Sequence, residues 1–197
     1  MQFRPFEKGI EVNGVTVFSV VDGLGVFKSL ARKYLLEVGI GIEKDGEYII
    51  DPDQWYSHES WLKAFEHIAN DIGDSVLREI GMKIPENAQF PPWVNDIVSA
   101  MKSIDVAYHM NHRKDGKVMF DVNTGKMYEG IGHYGYERAD NDHKIVSECR
   151  NPYPCAFDEG IIKSMAKKFE AKSNVVHDST KPCRKNGAES CTYIVTW

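Results

Sequence analysis

The first 148 residues of this 197-residue chain contain no cysteine; all four lie near its end, at positions 149, 155, 183 and 191. A disulfide framework is thereby excluded from most of the molecule. No apolar run approaches the roughly 18 residues of a membrane-crossing helix. The opening residues, MQFRPFEKGIEVNG, lack the apolar centre of a secretory signal. The expected compartment is therefore the cytoplasm, where thiols stay reduced and bind metals more often than they pair. Excess positive charge is also missing: 24 Lys and Arg face 29 Asp and Glu, a net charge of −5. A chain so balanced is a poor general partner for nucleic acid, which demands a basic face. Phosphate loop, dinucleotide fingerprint and nucleophile elbow are all absent, so no named reaction is supported. Repeats, low-complexity tracts and linkers are missing too, and one domain over residues 1–197 is expected.

What is present is a globular composition, 42% hydrophobic and 11% aromatic. Asn13-Gly14 between apolar residues reads as a hairpin or strand-entry signal. Val26, Phe27, Leu30, Ala31, Leu35 and Val38 recur at helical spacing, with Gly39 as the stop. EKDGEYIIDPDQW reads as a turn, a short strand and a loop. Ser57 caps the longest helical pattern, whose stripe runs Leu62, Phe65, Ala69, Ile72, Val76 and Ile80. Gly73 kinks or divides it, and Pro85 lies just past its end. Pro91-Pro92 opens a further helix with Trp93, Ile97, Ala100, Met101 and Ile104 inward.

From Asp105 the pattern turns to strands: VAYHMNHR, KVMFDV, KMYEGIGHYGYER and HKIVSEC, separated by Lys-Asp-Gly, Asn-Thr-Gly and Ala-Asp-Asn-Asp. These predict a four-stranded antiparallel meander. A helix over 157–169 and two closing strands, SNVVHD and CTYIVTW, complete the chain. The fold class is α+β, helices first and an antiparallel sheet second.

The cysteines flank that last helix and the loop RKNGAES. Cys155 stands at a helix start, where free N–H groups lower a thiol's pKa. Four thiols on adjacent elements suit a tetrahedral zinc or an iron–sulfur cluster. The intervals are wider than those of a zinc ribbon, so buried thiols and a disulfide or redox pair stay open. Cys149, or else His177 or Asp178, completes the ligand set.

The pattern Cys155, Gly160, a helix, then an apolar strand leading to Cys183, Gly187 and Cys191 resembles the vinyl-4-reductase-like sensor domain. That domain fronts phenol- and xylene-responsive activators, and its superfamily includes haem–nitric-oxide sensors and a Golgi tethering subunit. The close match covers about 45 residues. The resemblance implies zinc on Cys155, Cys183 and Cys191; the family's glutamate ligand has no counterpart among His177, Asp178 and Thr180, which favours Cys149 as the fourth. It further implies a pocket for a small hydrophobic or aromatic ligand, a homodimer, and a protein partner to receive the signal. The Tyr-x-Ser-x-Arg haem signature of the nitric-oxide sensors is absent, and haem is not expected.

Five histidines, His109, His112, His133, His143 and His177, fall in or near the strand region. A neutral imidazole beside a tyrosine hydroxyl orients a polar or phenolic ligand. The pocket candidates are His109, His133 and Tyr134, with Trp93 as an aromatic wall; half-buried sheet residues are the plainer reading of each. The rival reading is an enzyme, metal-dependent or tetrapyrrole-modifying, that uses Asp105, His109, His112 and Glu129 as a second metal site or an acid–base pair. The expectation is a sensor-type ligand-binding domain with structural zinc rather than a catalyst.

Overall fold

The computed structural model describes residues 2–139 and 143–197. Strand β1 (Ile10–Asn13) leads directly into α1 (Gly14–Gly23), and a 3-10 turn leads into α2 (Lys28–Glu37). A small hairpin, β2 (Ile42–Lys44) and β3 (Glu47–Ile49), precedes β4 (Trp55–Ser57), α3 (His58–Asp71), α4 (Asp74–Asn87) and α5 (Ile97–Met110). Short strands follow: β5 (His112–Lys114), β6 (Lys117–Val118), β7 (Phe120–Asp121), β8 (Lys126–Met127), β9 (His133–Tyr134) and β10 (Glu137–Arg138). The chain closes with β11 (Lys144–Arg150), α6 (Cys155–Phe169), β12 (Asn174–His177) and β13 (Cys191–Thr196). The architecture is α+β, as the pattern predicts, but strands β1 to β4 are interleaved with the first helices.

Local chemistry accounts for the boundaries. Ser57 caps α3 by accepting from the Ser60 amide, and Gly73, at φ 96°, separates α3 from α4. Asp96 and Ser99 form a reciprocal capping box at the start of α5. Asn13 caps α1 rather than turning a hairpin, because its side chain accepts from the Thr16 amide. Gly14 is needed there for space: a Cβ would lie 2.2 Å from the Asp51 carbonyl. Pro85 sits inside α4, not past it. The helix after Pro91-Pro92 begins only at Ile97, so Trp93 is left in the preceding turn.

The single meander does not form. VAYHM is the last turn of α5, and the remaining segments divide between two larger sheets and a β7–β8 ribbon. One sheet has the order β4-β1-β5-β6; the other runs β10-β11-β13-β12, with β9 also on β11. The expected Ala-Asp-Asn-Asp turn falls largely on 140–142, outside the described residues. Helices α4 and α6 cross backbone to backbone. A Cβ at Gly81 would lie 2.1 Å from the Phe157 carbonyl, and one at Gly160 would lie 2.2 Å from the Arg78 carbonyl.

Candidate functional site

Three groups of chemically active side chains stand out: a buried aromatic nest around His58, a cysteine corner at the start of α6, and a carboxylate–imidazole cluster on α5.

His58 opens α3 directly after β4 and is fully excluded from solvent. Neither of its ring nitrogens has a hydrogen-bond partner. Its neighbours are rings: His112 at 4.9 Å and Tyr153 at 5.5 Å between centroids. Phe65 and Phe157 pack on Tyr153, Trp61 packs on Phe65, and Tyr108 packs on His112. His112 is satisfied, its Nδ1 meeting the Tyr108 carbonyl at 2.7 Å and its Nε2 the Tyr153 hydroxyl at 3.0 Å. Burial lowers the His112 pKa to about 4 and takes that of His58 well below the ordinary range, with the neighbouring His112 adding to the latter. Both imidazoles are therefore neutral at pH 7.

At the cysteine corner, Cys155 Sγ lies 3.0 Å from Cys191 Sγ and 3.5 Å from Cys183 Sγ. Three of the four cysteines thus lie together. Cys149 does not join them. It opposes Cys191 across β11 and β13, but its buried sulfur contacts Ser147 Oγ at 3.6 Å. His177 stacks on Tyr193, and Asp178 accepts from Thr180, so neither of these alternatives reaches the cluster either. The hydrogen bond from Cys155 and the Arg184 charge and amide lower the Cys191 pKa to about 4, against burial. The same bond and burial push the Cys155 thiol up, so the pair shares one proton.

Beneath it lies a polar centre that the sequence reading misses. Asp158 accepts from the Tyr134 hydroxyl at 2.5 Å, from Asn151 Nδ2 at 3.1 Å, and from the Arg184 guanidinium. Arg184 also donates to the carbonyl and side-chain oxygens of Asn151. Both members of the ion pair are wholly buried. Arg184 stands between Cys183 and Gly187 in a short turn, and nothing in that context marks an arginine for the interior. Tyr134 thus belongs to this centre and not to an open pocket.

The remaining pocket candidates separate. His109 lies on α5, fully buried, its Nδ1 against the Asp105 carbonyl at 2.8 Å. His133, on β9, meets Asp105 Oδ2 at 2.9 Å and Glu129 Oε2 at 3.2 Å. Burial opposes its protonation, but the two carboxylates outweigh that and raise its pKa. Trp93 is 49% exposed in its turn and forms no wall. Of the acid–base set, His112 faces Tyr153 while Asp105, His109 and Glu129 stay with His133. Two surface hollows, about 270 Å³ beside Pro5–Glu11 and about 360 Å³ between α4 and α6, include none of the histidines or cysteines.

No protein-family model matches the chain, and no curated protein matches it by sequence. Solved structures do. An H-NOX protein from S. oneidensis in its Fe(II)NO state superposes with a TM-score of 0.58 at 18% identity, covering 93% of this chain and 97% of that one. The Cs H-NOX carrying 4-cyano-phenylalanine gives 0.61 at 16%, over 93% and 95%. The unliganded Fe(II) H-NOX protein from K. algicida gives 0.59 at 13%, over 93% and 95%. This is the H-NOX fold. The fold is that of the haem–nitric-oxide sensors, named above as superfamily relatives of the vinyl-4-reductase-like domain; the resemblance to that domain itself is not shown. It also corrects the cofactor expectation: the cysteines suggest zinc or an iron–sulfur cluster, whereas these H-NOX structures are described in Fe(II) states or by their haem. The cysteines are a three-thiol cluster beside a buried arginine, and the fourth ligand assigned to Cys149 is not in it.

Proposed function

We propose that this chain is a sensor-type domain that receives a small aromatic ligand against His58. The observation that carries the reading is the His58 imidazole itself, wholly buried, ringed by aromatic side chains and unpartnered at both nitrogens. Leaving a buried polar group unanswered costs about 1–3 kcal/mol, which a ligand hydroxyl placed there would recover. Aromatic walls with a few convergent polar groups are the usual lining of a small-molecule site. The neutral imidazole accepts from a phenolic O–H, and the Tyr153 and His112 pair lies one ring away.

Haem tests the same site. A buried, neutral and unpartnered imidazole is a suitable axial base for an iron porphyrin. The space is not suitable: His112, Tyr108, Tyr153, Phe65 and Phe157 pack on one another at centroid distances of 4.7–6.1 Å. With those rings in contact, any occupant has to displace them, and a single aromatic ring asks for a smaller displacement than a macrocycle. The Tyr-x-Ser-x-Arg signature is also missing from the sequence.

Thermal melts with 4-methylphenol and, separately, with ferric haem test the assignment. The phenol is expected to raise the Tm of the native chain and to leave His58→Leu unmoved. A Soret band from haem that disappears in His58→Leu would replace this reading with a haem sensor. No response to either compound would overturn a ligand role for His58.

A further inference from the structure

The cluster at the C-terminal end of α5 is distinct from the His58 nest, and the sensor reading does not depend on it. Asp105, His109 and His133 each offer one ligand atom, and these atoms lie within 4.8 Å of one another. Asp105 and His109 are four residues apart on α5, which puts them on one face. His133 comes from β9 on the opposite wall. The Asp105 carboxylate is held in place: Oδ1 accepts from the Tyr134 amide at 2.9 Å, and Oδ2 faces His133 Nδ1 at 2.9 Å. Two ligands at about 2.1 Å from one ion, at right angles, lie about 3.0 Å apart.

His109 supplies the independent sign of a ligand. Its Nδ1 donates to the Asp105 carbonyl at 2.8 Å, so the lone pair rests on Nε2. That nitrogen is buried and has no partner, while the ring lies 4.8 Å from the His133 ring. Fixing one imidazole nitrogen with a backbone carbonyl is how metal-binding histidines are commonly oriented. Glu129 stands at the exposed rim, 3.2 Å from His133 Nε2.

We propose that Asp105, His109 and His133 form a site for a first-row divalent cation of the Fe(II), Co(II) or Ni(II) type, with Glu129 at its entrance. Two imidazoles and one carboxylate with open positions suit such ions, water filling the rest of the shell. Binding exchanges the Asp105–His133 hydrogen bond for two bonds to the ion and gives His109 the partner it lacks. The donors are nitrogen and oxygen, which separates this site from the sulfur cluster at Cys155, Cys183 and Cys191.

Co(II) titration of the full chain, followed by visible absorption and calorimetry, tests the site. The expected result is one ion per chain with weak ligand-field bands and no thiolate charge-transfer band. Affinity should fall tenfold or more in His133→Gln and in Asp105→Asn, and stay unchanged in Cys155→Ser. His133 is partly exposed, so its variant carries the test even if Asp105→Asn fails to fold. A spectrum of thiolate type alone, no uptake at millimolar Co(II), or equal affinity in His133→Gln would each overturn the proposal.

Discussion

Two buried polar centres in this molecule are completed in opposite ways. Asp158 and Arg184 are wholly excluded from water, and the carboxylate is met by Tyr134, Asn151 and the guanidinium. His58, excluded to the same degree, touches rings but has no hydrogen-bond partner among the described residues. A fold tolerates buried charge when each lone pair is answered, and the answered centre then ties together the elements that supply the answers. Here those are β9, the turn after β11, α6 and the cysteine loop. An unanswered imidazole ties nothing together, so its place in the interior points toward a ligand rather than toward architecture.

The contrast is broken most forcefully at Arg184. Arg184→Ala leaves the buried Asp158 carboxyl without its counter-ion, and about 3–5 kcal/mol of unfolding free energy should be lost in urea titration. A smaller loss than about 1 kcal/mol would mean that the centre is not structural.

The second test uses acidity. Burial holds His112 near a pKa of about 4 and His58 below the ordinary 6.5, so the unfolded chain takes up protons that the folded chain refuses. Their contribution is fully present above pH 6.5 and is lost as pH falls toward 4. At pH 5 His112 alone removes about 2 kcal/mol relative to pH 7.5. Urea unfolding at the two values measures the loss, and His112→Gln should lessen it by that amount; an unchanged loss would deny that His112 is buried neutral.

The smallest effect belongs to His58→Leu. Because no hydrogen bond is broken and an unanswered polar group is removed, the variant should lose no more than about 1 kcal/mol and gain stability if the ring's space is filled. A large destabilisation would place His58 with Arg184 as a structural group.

The sequence carries the local features more faithfully than the distant ones. Ser57 as a cap, Gly73 as a break and the convergence of Cys155, Cys183 and Cys191 are all readable, because caps, breaks and short spacings act within a few residues. Gly14 misleads. Its role is to let α1 start against the 51–54 loop, a contact that nothing near Asn13 announces. VAYHM alternates well enough for a strand, but the Asp96–Ser99 capping box ten residues earlier has already set the chain in a helix. At the site, His109 and His133, read as pocket candidates, lie together around Asp105. His58 has no local signal at all. A single histidine after a serine cap looks like any first-turn residue, and only the rings of Tyr153 and His112, more than fifty residues later, make it unusual.

The crossing of α4 and α6 has a mechanical consequence. Where helices meet through side chains, rotamers can absorb a small displacement. At Gly81 and Gly160 no such cushion exists, and each backbone rests on the carbonyls of the other. Two residues, Ile72 and Gly73, separate α4 from α3, the helix that begins with His58. Cys155 is the first residue of α6. A displacement of α4 is therefore passed to α6, whose first residue carries one of the three sulfurs, with little taken up by side chains.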